Sequence, residues 1–161
     1  MKEVTLRIVG LFFNKKFKIN DTVNTVQGVM DAYRGTTRNT TSVPGGLTYT
    51  VEPDNTIRKI SFNFDGRYDF EGDIPANGSG LSLAGRNIPA RVYSLSERKL
   101  GVNSELAWQY YVIDKHGKNK SKTLQAQGFK PFGEAPANYT IQDGDTIIWR
   151  LLAINYIPTG Y

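Results

Sequence analysis

His116 is the only histidine in the 161-residue chain, and histidine is the side chain whose ordinary pKa lies closest to neutrality. It sits in the run Lys115-His116-Gly117-Lys118-Asn119-Lys120-Ser121-Lys122. A general base must be held within hydrogen-bond reach of its substrate. A lysine-rich loop is a poor place to hold one. We therefore expect His116 to join Lys115, Lys118, Lys120 and Lys122 in a basic patch, not to act as a base. Such a patch can grip phosphate or an acidic partner, with a solvated hairpin-like loop as the plainer expectation. A second group, Lys15, Lys16 and Lys18, strengthens it only if folding brings both to one surface. The formal charge of +5 permits nucleic acid as a partner of these lysine loops, with solubility as the plainer expectation. The lysine run lacks the arginines and stacking aromatics that single-strand binding draws on. Nucleic-acid binding is therefore the second reading.

The acids Asp65, Asp69, Glu71 and Asp73 fall close together, and hard cations take several oxygen ligands. Their spacing does not follow an EF-hand loop, so they form a weak calcium candidate, with a turn-rich surface loop as the plainer expectation. There are no cysteines, which removes disulfides, thiolate metal sites and cysteine nucleophiles. One histidine cannot build a histidine zinc cluster. Gly78-Ser79-Gly80 lacks the Walker pattern, and no G-x-S-x-G occurs. A hydrolase with paired carboxylates stays open as an alternative, because two acids can meet from anywhere in a chain. Trp108, Tyr110, Tyr111 and Arg150 are the candidate ligand-binding residues. Strand aromatics most often pack in a core, but Tyr and Trp need partners for O–H and N–H, and Arg150 needs a carboxylate, a ligand or water.

These side chains depend on the elements that carry them. Sixteen Gly, nine Tyr and eight Phe favour strands and turns. Val4–Phe13 alternates as a strand, with Asn14-Lys15 as its turn into Lys16–Asn20. Asn24-Thr25-Val26-Gln27 has capping-box spacing and opens a helix with an apolar face at Val26, Val29, Met30 and Tyr33. Gly35 supplies its stop, and Gly28 within it suggests close packing on the sheet. Thr36–Gly46 is a polar loop. Leu47–Glu52 and Ile57–Phe64 form a second hairpin, Ala90–Leu95 a weak strand, and Trp108–Ile113 a stronger one. His116–Pro136 is a long polar loop of a length that is often functional. Asp143-Gly144-Asp145 separates a short strand, Tyr139–Gln142, from Thr146–Ile154, which is apolar on both alternating faces and so is expected at a sheet centre.

The segments VTLRIVG, TVQGVMDAYRG, WQYYV and YTIQDGDTIIWRL resemble the transcobalamin-like carboxy-terminal β-grasp family. In that family a W-x-Y-Y-V strand precedes a y-x-l-x-d-G-D-x-I-x-W hairpin. The likeness covers residues 4–34, 47–62, 107–113 and 139–154. It implies a fold. It does not carry cobalamin, because no ligand-contact residue matches. Ile113-Asp114 stands where the family has Asn-Gly, and the segment before Trp108 is longer.

We therefore expect one α+β domain over 1–161, β-rich overall. Its β-grasp-like mixed sheet, with one packed helix, is built from 4–64 and 107–155, and 65–106 is a long insertion. The expected function is a non-enzymatic binding or interaction domain, without a cofactor, presenting Thr36–Gly46 and His116–Pro136 to a protein or small-molecule ligand. No segment approaches the roughly 20 apolar residues of a membrane helix. The protein is cytoplasmic if Met1 is the native start, and extracellular if a leader has been removed. The four sequons at Asn39, Asn77, Asn119 and Asn138 fit chance in an Asn/Thr-rich chain.

Overall fold

A computed structural model describes residues 1–34, 40–53, 56–66, 89–121, 126–127, 130–131 and 134–155. Its main sheet has five strands: β1 (Lys2–Ile8), β2 (Phe13–Ile19), β6 (Arg98–Gly101), β7 (Ser104–Ile113) and β10 (Thr146–Asn155). Their order is β2-β1-β10-β7-β6, and β1 runs parallel to β10 while the other pairs are antiparallel. This is a β-grasp-like mixed sheet with the last long strand at its centre. Alternation fixes its faces. Val4, Leu6 and Ile8 of β1, Ile147 and Trp149 of β10, and Trp108, Tyr110 and Val112 of β7 are buried on one side.

Three details depart from the expected strands. The first turn falls at Val9–Phe12, not at Asn14-Lys15. Gly10 adopts φ +94, a conformation glycine takes without penalty, and Phe12 adopts φ +60. Phe12 is held there by its ring contacts to Phe64 (5.3 Å) and Tyr93 (5.2 Å). Second, Tyr139–Gln142 is not a strand. Thr140 makes one bridge to Thr25, and the Ile141 amide donates to Asn24 O, so this segment serves the helix start. Third, β10 is buried on both faces only at Ile147–Trp149. Arg150, Ala153 and Asn155 are exposed, because β1 has already turned away at Gly10.

The helix α1 (Val26–Arg34) lays Val26, Val29, Met30 and Tyr33 into the core, as its periodicity predicts. Its cap is Thr25, one residue later than expected. Thr25 Oγ1 accepts from the Gly28 amide at 3.0 Å, while the Val26 and Gln27 amides donate to Tyr139 O and Pro136 O. The first-turn donors that a helix leaves unsatisfied thus find acceptors in the 134–140 segment and the cap. Gly28 packs against this cap and not against the sheet. A Cβ there would lie 3.0 Å from Thr25 Oγ1 and 3.2 Å from Val23 Cγ1.

The second hairpin, β3 (Leu47–Val51) and β4 (Ile57–Asn63), stays outside the main sheet. It joins β5 (Val92–Ser96) in a separate sheet of order β3-β4-β5. Leu47, Ile60, Phe62 and Phe64 are buried in the common core, and the Phe62 ring meets Phe13 edge-on at 4.9 Å. Residues 92–101 are consequently part of the framework and not of an elaboration: β5 belongs to one sheet and β6 to the other. Glu97 sits between them. Its amide donates to Arg58 O, its carboxylate accepts the Trp108 amide, and Trp108 Nε1 donates to Leu95 O. A small two-stranded pair, β8 (Ala126–Gln127) with β9 (Lys130–Pro131), completes the described strands.

Candidate functional site

The lysine run is built as a turn. Asp114 starts it: its Oδ1 accepts from the amides of His116 (2.8 Å) and Lys118 (3.0 Å). Its backbone amide donates to Lys118 O, and its carbonyl accepts from Gly117, which stands at φ +83. A type I turn followed by a left-handed glycine is a standard three-residue hairpin connection. The backbone amides of Lys118 and His116 hold the Asp114 carboxyl below its usual range, the Lys118 bond having the larger effect. The returning arm is tied as well. The Lys120 amide donates to Val112 O, and Ser121 Oγ accepts from the Val112 amide at 2.9 Å.

Lys120 is not free to hold a ligand. Its ammonium lies 2.5 Å from Asp145 Oδ2, and Asp145 is 1 % exposed. The same carboxylate oxygen accepts the Gln142 amide at 2.7 Å. Asp145 thereby ties the basic turn to the Asp143–Asp145 turn that starts β10. That second turn docks on β1: the Gly144 amide donates to Glu3 O, the Glu3 amide to Asp143 Oδ1, and the Thr5 amide to Asp145 O. Sequence reasoning missed Asp145 as an anchor. The signal was present in Asp143-Gly144-Asp145, an acid placed just before a buried strand, but its lysine partner lies 25 positions earlier by number and only pairing across strands brings the two together.

The two lysine groups do reach one end of the main sheet in part. Lys16 and Lys18 lie on the face of β2 opposite the core, paired in register with Thr5 and Glu3. Gly144 bonds Glu3 and packs against the Lys115 side chain. Lys16, Lys18, Lys115 and Lys118 are exposed around this junction. Lys15 points to the other face, in register with Leu6, and Lys122 lies outside the described residues. Acids are interleaved with the cations: Glu3 pairs with Lys16 at 2.9 Å, and Asp114 and Asp143 sit in the same turns. The surface carries mixed charge.

The aromatic group divides between two faces. Trp108 and Tyr110 pack in the core with Trp149, the Trp108 and Trp149 rings meeting at 6.5 Å. The Tyr110 hydroxyl donates to Glu134 O, and burial raises its pKa well above the ordinary value, with the Glu134 charge a smaller cause. Tyr111 and Arg150 belong to the opposite face. Tyr111 pairs with Ile148, Arg150 pairs with Gln109, and Arg150 is exposed. These four residues do not line one pocket, because residues one apart on a strand point to opposite faces.

Asp65 is exposed, while Asp69, Glu71 and Asp73 lie outside the described residues. Among the described residues no three His, Asp or Glu side chains gather as a metal site, and no helix is long and apolar enough to cross a membrane. Of Thr36–Gly46, residues 40–46 are described and are pinned to β4. Gly45 N donates to Asn63 O, Asn63 N to Gly46 O, and Asn63 Nδ2 to Thr41 O. Compared with known protein families, curated proteins and solved structures, the chain matches none.

Proposed function

We propose that the protein is a non-enzymatic binding module whose contact surface is the 114–121 turn together with the exposed lysines of β2, and whose ligand is a protein of mixed surface charge. The observation that carries this reading is the construction of the turn. Its backbone is held by Asp114, its returning arm by Ser121 and its base by the Lys120–Asp145 pair, so Lys115, His116 and Lys118 project from a rigid frame. Ordering a loop before binding lowers the entropy cost of association. Interleaved Glu3, Asp114 and Asp143 disfavour a uniformly anionic phosphate backbone and suit a partner that offers both signs. The kinship with the transcobalamin-like family belongs to this proposal at the level of fold, without cobalamin.

The test compares the wild-type chain with Lys115→Glu/Lys118→Glu, both substituted at exposed positions. Affinity capture from the source cells, quantified by mass spectrometry, is expected to recover a partner that the double variant loses while its melting temperature is unchanged. Identical recovery by both proteins refutes the surface. Anisotropy titration with a labelled duplex and a labelled single strand at low salt is expected to show no binding at micromolar protein. Binding with a log–log salt slope of about −0.9 per neutralised phosphate would transfer the assignment to nucleic acid.

A further inference from the structure

The main sheet narrows along its length. The last bond between β1 and β10 runs from the Val9 amide to Trp149 O at 2.9 Å, and the chain then leaves the sheet at Gly10. β10 continues to Asn155 with β7 as its one neighbour among the described residues. Asp145 O and Trp149 O both face β1. Two-residue periodicity therefore turns the N–H and C=O groups of Leu151, Ala153 and Asn155 toward the line that β1 has vacated. Among the described residues no backbone group meets them there. Ala153 and Asn155 are exposed, and Leu152 and Ile154 are half-buried.

An open strand edge is a template for another strand, and proteins guard such edges with charge, bulges or brevity. Both outer strands of this sheet are guarded. β2 carries Lys15, Lys16 and Lys18, and β6 carries Arg98 and Lys99 with a register shift before Gly101. The overhang Leu151-Leu152-Ala153-Ile154-Asn155 has no charge, and its pairing with β7 runs through without a shift.

We propose that this overhang pairs antiparallel with the same segment of a second copy of the chain, about a two-fold axis at Ala153. The sequence of the segment is self-complementary in that register. Ala153 meets Ala153 of the second copy on the axis, where a small uncharged side chain is needed. Leu151 stands opposite Asn155, so the open donors and acceptors of the two strands face each other. Leu152 stands opposite Ile154, an apolar cross-strand pair that covers the half-buried face. Each overhang fills the line left by the other copy's β1, and the two sheets join edge to edge as an isologous dimer. A five-residue overlap falls below the roughly 800 Å² per partner of stable complexes, so the dimer is weak and concentration-dependent. The segment lies at the opposite end of β10 from the 114–121 turn, and it stands independently of the binding role proposed above.

Sedimentation velocity of the full chain up to about 500 μM tests the pairing. The weight-average sedimentation coefficient is expected to rise with concentration for the wild type. Ala153→Lys and Ala153→Glu, each placing like charges on the axis, are expected to remain monomeric with unchanged circular dichroism. An equimolar mixture of the two variants restores association, because opposite charges then meet. Amide exchange at high concentration slows at Leu151, Ala153 and Asn155 relative to low concentration. The pairing is refuted by a wild type that stays monomeric throughout. It is equally refuted by association that both variants retain, or by a mixture that stays monomeric while the wild type associates.

Discussion

Asp145 shows how one side chain can serve two turns at once. Its carboxylate is 1 % exposed and is shared between the Gln142 amide and the Lys120 ammonium. Removing one partner of a buried pair leaves an uncompensated polar group, which costs about 3–5 kcal/mol. Asp145→Ala is therefore expected to lower stability by that order in urea denaturation. Lys120→Met should cost at least as much, because it leaves the 1 % exposed Asp145 carboxylate with the Gln142 amide but without its ammonium, whereas Lys120, at 23 % exposure, still reaches water when Asp145 is removed. A Lys120→Met loss near zero would show that the Gln142 amide alone satisfies the acid. Asp114 acts on its own turn. Its pKa is lowered in the folded state by the Lys118 and His116 amides, so its contribution is full above the ordinary carboxyl range. That contribution is lost as pH falls through the depressed folded value. A carboxyl-carbon titration by NMR should place the Asp114 midpoint below 3.8, and Asp114→Asn should flatten the acid limb of the stability profile. Gly46 is fixed by space alone. A Cβ would fall 1.7 Å from Thr40 O, a backbone atom that cannot yield as a flexible side chain does. Gly46→Ala should disturb the 40–46 segment and destabilise by more than the about 1 kcal/mol that a tolerated glycine substitution changes, read from the melting temperature.

At the scale of elements, the strands and the helix were legible because alternation and 3.6-residue periodicity report one buried face each. Val26, Val29, Met30 and Tyr33 name the helix face correctly, and the central place of β10 follows from Ile147–Trp149. Trp149 is 2 % exposed against Trp108 and Tyr110, so Trp149→Ala should cost about 3–5 kcal/mol in denaturant titration. A loss near zero would contradict its burial. What periodicity does not carry is pairing. Nothing in Leu47–Val51 says that its hairpin will prefer β5 to the main sheet. That choice is made by Phe62 and Phe64, whose rings need Phe12, Phe13 and Tyr93. Turn position was lost for a similar reason, since the left-handed Phe12 packs against two rings distant in sequence, Phe64 and Tyr93. At the candidate site, the lysine run was visible as composition. The anchoring of Lys120 was not, because it depends on Asp145 arriving from the turn before β10, whereas the turn that carries Lys115, His116 and Lys118 is built locally by Asp114. The aromatic candidates do not share one face for a simpler reason: Tyr110 and Tyr111 are adjacent on one strand and must face opposite ways.

For the whole molecule, the question is whether two sheets make one cooperative unit. The chain passes from β5 to β6 through a single residue, Glu97, so the second sheet and the main sheet share a continuous run of backbone. Glu97 accepts the Trp108 amide while its own amide bonds Arg58, and Trp108 Nε1 reaches Leu95 O. Both sheets press their apolar faces into one core with α1, in which Phe13 of β2 touches Tyr33 of the helix (4.8 Å) and Phe62 of β4 (4.9 Å). Neither sheet can unfold without exposing the apolar face of the other, so the described residues should melt in one transition. The two tryptophans report the main sheet, and far-UV circular dichroism reports all strands. Their thermal curves are expected to coincide. Glu97→Ala removes the acceptor of the Trp108 amide at the crossing point and should lower the midpoint of both curves together, by about 1–3 kcal/mol for a half-buried group left unpaired. Tryptophan and circular-dichroism curves that separate in the wild type would show two independent units. Curves that separate only in Glu97→Ala would show that this one contact couples them.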